Sequence, residues 1–121
     1  MKRNAIESEI QKAAVKFLQL QENLGRLTYF SIPNNPRSAA TGLKLKREGM
    51  RAGTPDLMIL AKDRVPLFVE MKAPKGRLSD DQILAADRLT EHGALVVICR
   101  SVTDVEMLVG NWLQTTTRRA A

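Results

Sequence analysis

The fold is decided by the stretch DLMILAKDRVPLFVEMK, residues 56–72. Two apolar runs, 57–61 and 65–69, flank a short polar break, a pattern that predicts a β-hairpin with a loop of about three residues. If the hairpin folds about Asp63, Asp56 on one strand faces Glu70 on the other. Cross-strand partners have Cβ atoms roughly 5 Å apart, a distance at which two carboxylates repel each other.

A facing pair of carboxylates needs a compensating positive charge. Because side chains alternate along a strand, Lys72 is expected on the same face as Glu70. A divalent cation would use both carboxylates as oxygen ligands and would remove their repulsion. The alternative is a hairpin end that frays into solvent, where the charges only keep the sheet edge soluble. Geometry alone leaves both interpretations open.

Hydrophobic spacing and capping signals predict the other elements. The predicted elements are a helix over 5–24, strands over 27–32, 56–61 and 65–72, a helix over 79–92, a strand over 94–99 and a helix from 103 or 104 to 114. The run at 94–99 is purely apolar, which favours a buried strand. The order α-β-β-β-α-β-α predicts a mixed sheet with helices on its faces.

The length of 121 residues suits one domain, 1–121, with one hydrophobic core, and a hydrophobic content of 44% argues against disorder. No segment is typical of a signal peptide or a membrane span, so we expect a cytoplasmic or host-cell interior protein that contacts no membrane. The one cysteine, Cys99, lies in an apolar run and is expected to be a buried structural thiol. The tail at 115–121 is expected to be loose.

Positive charge is concentrated in the segment 33–53, which holds five basic residues and one acidic residue in a chain of net charge +6. Its prolines, asparagines and glycines predict a long loop or a short mobile helix. Phosphate backbones are the expected partner, and a solvated basic loop without a ligand is the alternative. The candidate DNA contacts are Asn34, Asn35, Arg37, Lys44, Lys46, Arg47 and Arg51, with Lys75 and Arg77 further along the chain. The two asparagines are equally suited to forming a turn.

Several motifs resemble those of the PD-(D/E)xK nucleases. Pro55-Asp56 followed by Glu70-Met71-Lys72 is similar to the superfamily motif. The segments Gly53-x-Pro55-Asp56-Leu57 and Gly76-x-Leu78-Ser79-x-x-Gln82 resemble the VRR-NUC branch. The resemblance runs from residue 7 to residue 99 and implies a restriction-endonuclease-like α/β fold, a mixed sheet with an α-β-β-β-α-β core and a C-terminal helix. It implies a metal-dependent DNA endonuclease, in stand-alone form similar to Holliday junction resolvases.

The same resemblance assigns a metal site. Asp56, Glu70 and the main-chain carbonyl of Met71 would hold Mg²⁺ or Mn²⁺, and Glu7 on the first helix would bind directly or through water. Lys72 would orient or activate the attacking water.

Two of these assignments have alternatives. Glu7 also suits a helix N-terminal acid favoured by the helix dipole, and Glu9 is a second candidate for the helix ligand. Gln82 follows the predicted cap at Ser79 by three positions, so it suits a capping box as well as a contact in the active site.

Other chemistries lack the residues they need. His92 is the only histidine, which leaves histidine-dependent nuclease and zinc sites without ligands, and no Walker-type loop is present to bind a nucleotide cofactor. Symmetric cutting of a four-way junction requires two active sites, so a homodimer is expected if branched DNA is the substrate. The alternatives are a non-catalytic DNA-binding module and a nuclease that acts on RNA.

Overall fold

The computed structural model describes residues 5–33 and 38–115. The elements in these residues are α1 (Ala5–Asn23), β1 (Thr28–Ser31), α2 (Ala39–Arg47), β2 (Leu57–Leu60), β3 (Leu67–Met71), α3 (Asp80–Glu91), β4 (Leu95–Cys99) and α4 (Val102–Gln114). The predicted order of helices and strands is confirmed, with α2 added inside the basic segment. None of the helices in this part of the chain combines the length and the apolar character needed to cross a membrane.

The strands form one mixed sheet in the order β1-β2-β3-β4. β2 pairs antiparallel with both β1 and β3, whereas β3 and β4 are parallel. Leu57 pairs with Val69 and Ile59 with Leu67, which confirms the predicted hairpin register about Asp63. Asp63 has a φ of 61°, the left-handed conformation that tight turns use. One step beyond β2, the same register sets Asp56 opposite Glu70.

The hairpin loop is longer than the predicted three residues and spans 61–66. Pro66 has no amide hydrogen to donate to a strand partner. The two residues before it bind the C-terminal end of α4. The Arg64 Nε donates to the Trp112 carbonyl at 3.0 Å, and the Trp112 Nε1 donates to the Val65 carbonyl at 3.0 Å. Trp112 itself is a core residue, only 3% exposed.

The hydrophobic core lies between α1, α4 and one face of the sheet. Its fully buried side chains include Leu18, Leu57, Ile59, Leu67, Val69, Met71, Val105 and Val109. Glu70 alternates with Val69 and Met71, so it points to the opposite face. α3 lies on that face, where it packs against β4. One face of the sheet therefore packs in the core, and the opposite face carries Glu70.

β4 is an edge strand, and the prediction of a buried strand at 94–99 was wrong. Within the described sheet β4 pairs only with β3, and Leu95 and Ile98 remain 40% and 36% exposed. Only Cys99, at the end of the strand, is fully enclosed. Burial, with a smaller effect from Asp104, raises the pKa of the Cys99 thiol to about 11. The expected buried structural thiol is confirmed, because a thiol with so high a pKa forms little thiolate.

The basic segment contains a helix over much of its length. Ser38 caps α2, and its hydroxyl accepts a hydrogen bond from the Thr41 amide at 3.1 Å. Among the described elements, α2 contacts no other helix or strand, and Leu43 is 53% exposed on it. A short helix, one of the two predicted forms, is thus present at 39–47. The predicted DNA contacts Asn34, Asn35 and Arg37 lie outside the described residues, as does the tail from 116 onwards.

Candidate active site

Two carboxyl groups meet at the ends of β2 and β3. Asp56 directly precedes β2, and its carbonyl accepts a hydrogen bond from the Ile32 amide at 2.8 Å. Its Oδ2 accepts a second from the Met71 amide at 2.7 Å, which ties the side chain across to β3. The register of β2 and β3 sets the Asp56 carboxyl opposite that of Glu70, which is only 5% exposed. The facing pair expected from the hairpin register is therefore present in the folded chain.

The surroundings of Glu70 favour its protonated form. Burial is the main cause, the Asp56 charge and hydrogen bond act in the same direction, and Glu7 adds a smaller repulsion. The Lys72 charge opposes these effects, yet the pKa of Glu70 rises from 4.5 to about 8. These surroundings therefore favour the protonated form of Glu70 at neutral pH.

Gln82 completes the predicted capping box and also contacts Glu70. Its Oε1 accepts from the Ser79 amide at 2.8 Å, and the Ser79 hydroxyl accepts from the Gln82 amide at 3.2 Å, which completes the capping box of α3. Its Nε2 donates to Glu70 Oε2 at 3.0 Å. A single side chain thus joins the start of α3 to the carboxyl pair.

Gly53, which precedes Pro55 and Asp56, occupies a position that only glycine fits. Its φ is 82°, and a Cβ at this position would overlap the backbone of Asp81 in the first turn of α3. Pro55 is fully buried beside it. The chain that leads to Asp56 therefore packs directly on the N-terminal end of α3, and this contact needs a residue without a side chain.

Of the two glutamates on α1, Glu7 is the one that approaches the site. Glu7 is half-buried, and its Oε2 lies 3.5 Å from the Ala73 amide. Glu9 is exposed and pairs with Lys12 at 3.0 Å on the solvent side. In the described ranges, no three histidine, cysteine or acidic side chains converge as a ready-made set of metal ligands. Glu7 is therefore close to the carboxyl pair without joining it.

Lys72 lies immediately after β3 and remains partly exposed. Its amide donates to the Cys99 carbonyl at 3.0 Å, which extends the contact between β3 and β4 by one residue. Its charge acts on Glu70, where it lowers the pKa against the stronger effect of burial. The ammonium is thus within the electrostatic reach of the carboxyl pair.

The other predicted basic contacts form two exposed groups. Lys44, Lys46 and Arg47 lie in the last turn of α2, and Lys44 is 3.7 Å from Glu48 in an exposed ion pair. Arg51 is exposed in the connection to β2. Lys75 and Arg77 are exposed between β3 and α3, shortly after Lys72. These positions leave the side chains accessible to a phosphate backbone.

Arg100 belongs to the site region, although its sequence context does not mark it. Its Nη1 donates to the carbonyls of Ala73 and Gly76 at 2.9 and 2.7 Å. The available signal was its place directly after Cys99, because parallel pairing puts Cys99 beside Met71, at the end of β3 that carries Glu70 and Lys72.

Comparisons with known proteins show the family of the chain and support its fold. The model of the VRR-NUC domain family matches residues 3–103. A solved structure described as a VRR_NUC domain is 24% identical, with a TM-score of 0.63 over 90% of this chain and 99% of its own. Another, a VRR_NUC domain protein, is 18% identical, with a TM-score of 0.69 over 98% of this chain and all of its own. No curated protein is a match in sequence. The fold is of the nuclease type, and the chain belongs to the VRR-NUC family.

Proposed function

We propose that this chain is a divalent-metal-dependent endonuclease that hydrolyses phosphodiester bonds in DNA, with selectivity for branched structures such as four-way junctions. The observation that carries the proposal is the facing pair of Asp56 and Glu70 at the ends of β2 and β3, each held by an N–H donor, with Lys72 following on the same chain segment. A buried glutamate that faces a second carboxyl has no stabilising role of its own, because desolvation and like charge both act against it. Such a pair suits a site in which Glu70 releases its proton when a divalent metal ion binds.

The donor atoms available at this pair fit Mg²⁺ or Mn²⁺. Both side chains offer oxygen, the ligand that these hard cations prefer, and none of the groups proposed as ligands is a sulfur atom or an imidazole. One oxygen of each carboxyl is fixed by an N–H donor, from Met71 to Asp56 and from Gln82 to Glu70. Such outer contacts orient ligands before a metal binds. The Met71 carbonyl is the proposed third ligand, with Glu7 acting through water.

Each residue then has a defined task in hydrolysis. A divalent cation, when bound, would lower the pKa of a water molecule and neutralise charge on the phosphate. Asp56 and Glu70 hold its position. Lys72 orients the attacking water and stabilises the negative charge that develops on the phosphate oxygens. Gln82 keeps the Glu70 carboxyl in a single orientation.

The exposed basic residues supply the DNA contacts in this proposal. α2 stands apart from the other described helices and strands, so the cations of its last turn are able to follow a phosphate backbone without disturbing the core. Lys75 and Arg77 lie close to Lys72 in sequence and extend the same positive surface to the active site.

Branched DNA brings a requirement for symmetry. One chain supplies one carboxyl pair, and symmetric cleavage of a four-way junction needs two, so a homodimer is part of the proposal. Analytical ultracentrifugation with and without a junction tests it. A protein that cleaves junctions symmetrically while remaining a monomer on them would contradict this part.

The central experiment compares substrates and metals. A labelled four-way junction, a splayed duplex and a linear duplex are incubated with the protein in Mg²⁺, Mn²⁺ or EDTA. We expect cleavage of the junction with either metal, less of the linear duplex and none in EDTA. No cleavage of any substrate with either metal would sink the endonuclease proposal.

Two substitutions separate chemistry from binding. Lys72→Ala and Asp56→Asn should abolish cleavage and keep junction binding within a few-fold of wild type. Lys62→Ala, in the exposed hairpin turn, is the matched control and should retain both properties. If both site variants bind as poorly as they cut, the site is assigned wrongly.

The same assays decide between the two other candidate functions. A non-catalytic DNA-binding module would bind the junction with the same affinity in EDTA and in Mg²⁺ and would cut nothing. A nuclease of RNA would cut a labelled RNA hairpin faster than a DNA hairpin of the same sequence.

A further inference from the structure

Arg100 binds the loop that follows Lys72. One nitrogen of its guanidinium, Nη1, donates to the carbonyls of Ala73 at 2.9 Å and Gly76 at 2.7 Å, with a longer contact to Pro74 at 3.4 Å. Three carbonyl oxygens of one loop thus converge on one cationic group. Hydrogen bonds from a charged donor are stronger than neutral ones, so this contact holds the loop 73–76 firmly.

Arg100 is itself anchored at the start of α4. Its amide donates to Asp104 Oδ2 at 2.9 Å, and the Asp104 amide donates to the hydroxyl of Ser101, the N-cap, at 3.0 Å. The residue before it, Cys99, is fully buried at the end of β4. The guanidinium therefore extends from a rigid junction of strand and helix to the loop beside the active site.

The loop in turn limits where the Lys72 side chain can lie. The Gly76 amide donates to the Ala73 carbonyl at 2.9 Å and closes a tight turn. A Cβ at Gly76 would be 3.4 Å from the Lys72 Cδ, so the lysine stem passes beside the turn at Gly76. Ala73 is held from its other side by Glu7, whose Oε2 lies 3.5 Å from its amide. Movement of this turn would change the space available to Lys72.

We propose that Arg100 is a positioning residue that holds the turn 73–76 against Lys72 and so fixes the lysine ammonium for catalysis. This inference rests on the proposed nuclease function. It assigns Arg100 no contact with the substrate or with a metal. A guanidinium suits the task because it stays charged and presents its donors in a rigid plane. A lysine side chain at this position would be more flexible and would reach less far toward the carbonyls.

Kinetics of Arg100→Met and Arg100→Lys test the proposal with the cleaved DNA substrate. Misplacing a catalytic group by about 1 Å costs on the order of 100-fold in rate, so Arg100→Met should lower kcat by about that factor. KM should stay within a few-fold, and Arg100→Lys should recover part of the loss. Arg88→Met, an exposed arginine on α3, is the matched control and should leave both constants unchanged.

The opposite division of effects would overturn the inference. A rise in KM with an unchanged kcat would show that Arg100 acts in DNA binding. A kcat that is the same in wild type and in every variant would show that the turn 73–76 does not need Arg100 to position Lys72. Thermal unfolding of each variant establishes that folded protein is compared. If Arg100→Met fails to fold, Arg100→Lys alone decides the question, since the proposal requires its kcat to fall.

A second measurement does not depend on cleavage. The ¹³C signal of the Lys72 ε-carbon, assigned by its loss in Lys72→Arg, reports the setting of the side chain in the metal-free protein. We expect Arg100→Met to shift or broaden this signal and Arg88→Met to leave it in place. An unmoved signal in Arg100→Met would refute the positioning role. If the wild-type protein cleaves nothing yet the signal moves, the nuclease proposal fails while the structural link from Arg100 to Lys72 stands.

Discussion

The metal-free protein should lose stability as the pH rises, and Glu70→Gln should remove most of that loss. The folded chain raises the pKa of Glu70 from 4.5 to about 8. Below the lower value Glu70 is protonated in the folded and unfolded states alike. Between the two values the unfolded chain releases its proton and the folded chain keeps it, so the free energy of unfolding falls with rising pH. Above the upper value the loss is complete.

The size of the effect follows from the same pair of values. At about 1.4 kcal/mol per pH unit, a rise from 4.5 to about 8 corresponds to a loss of at most about 5 kcal/mol. Glutamine has the shape of protonated glutamate, accepts the same hydrogen bond from Gln82 and carries no charge. As the pH rises across this window, the free energy of unfolding of Glu70→Gln should therefore increase steadily relative to that of wild type.

Urea unfolding in EDTA at several values between about pH 5 and about pH 8.5 measures the difference. Glu9→Gln is the matched control, since Glu9 is exposed on α1, and this variant should follow the wild-type curve. At the highest pH of this series, adding Mn²⁺ should stabilise wild type far more than Glu70→Gln. Parallel curves for wild type and Glu70→Gln would refute the reasoning, because they would show that folding does not raise the pKa of Glu70.

Three further perturbations follow from contacts in and around the site. Gln82→Ala should lower the free energy of unfolding by about 2 kcal/mol, since it removes the side-chain acceptor of the Ser79 amide in the capping box and a hydrogen-bond partner of the buried Glu70 carboxyl, and urea unfolding measures the loss. Gly53→Ala should cost at least about 2 kcal/mol, and more than Gly25→Ala, because both glycines have positive φ and only Gly53 lacks room for a Cβ; equal losses would contradict the close packing on α3. Lys44→Ala combined with Arg51→Ala should weaken DNA binding and reduce the salt dependence of log K by about 2, and an unchanged slope would remove these residues from the interface.

The hairpin register was predictable because it depends on neighbouring residues. Apolar runs on both sides of Asp63 and the alternation of faces suffice to oppose Asp56 and Glu70. The loop length was not predictable, because Arg64 and Val65 bind Trp112, a partner far away in sequence. Local patterns do not show which residues near a turn will find such distant partners.

Exposure and long-range hydrogen bonds were also beyond local patterns. The apolar sequence of β4 is compatible with a central or an edge position, and only the assembled sheet shows that Ile98 lies at an edge. The sequence left a capping box and a contact in the active site as alternatives for Gln82, and the fold shows that capping does not prevent a hydrogen bond to Glu70. Arg100 has no motif of its own, since its partners are carbonyl oxygens, which every residue carries.

The Gln82 side chain makes two hydrogen bonds, to the Ser79 amide and to Glu70, so position 82 should tolerate fewer substitutions than position 79. Ser79 needs only to cap a helix, so threonine, aspartate and asparagine are acceptable replacements. Gln82 must offer an acceptor to the cap and a donor to Glu70 at once, a combination that glutamate and the aliphatic residues lack. Random substitution under selection for cleavage should therefore return several residues at 79 and almost none but glutamine at 82. A helix terminus would then evolve under the constraints of a catalytic group.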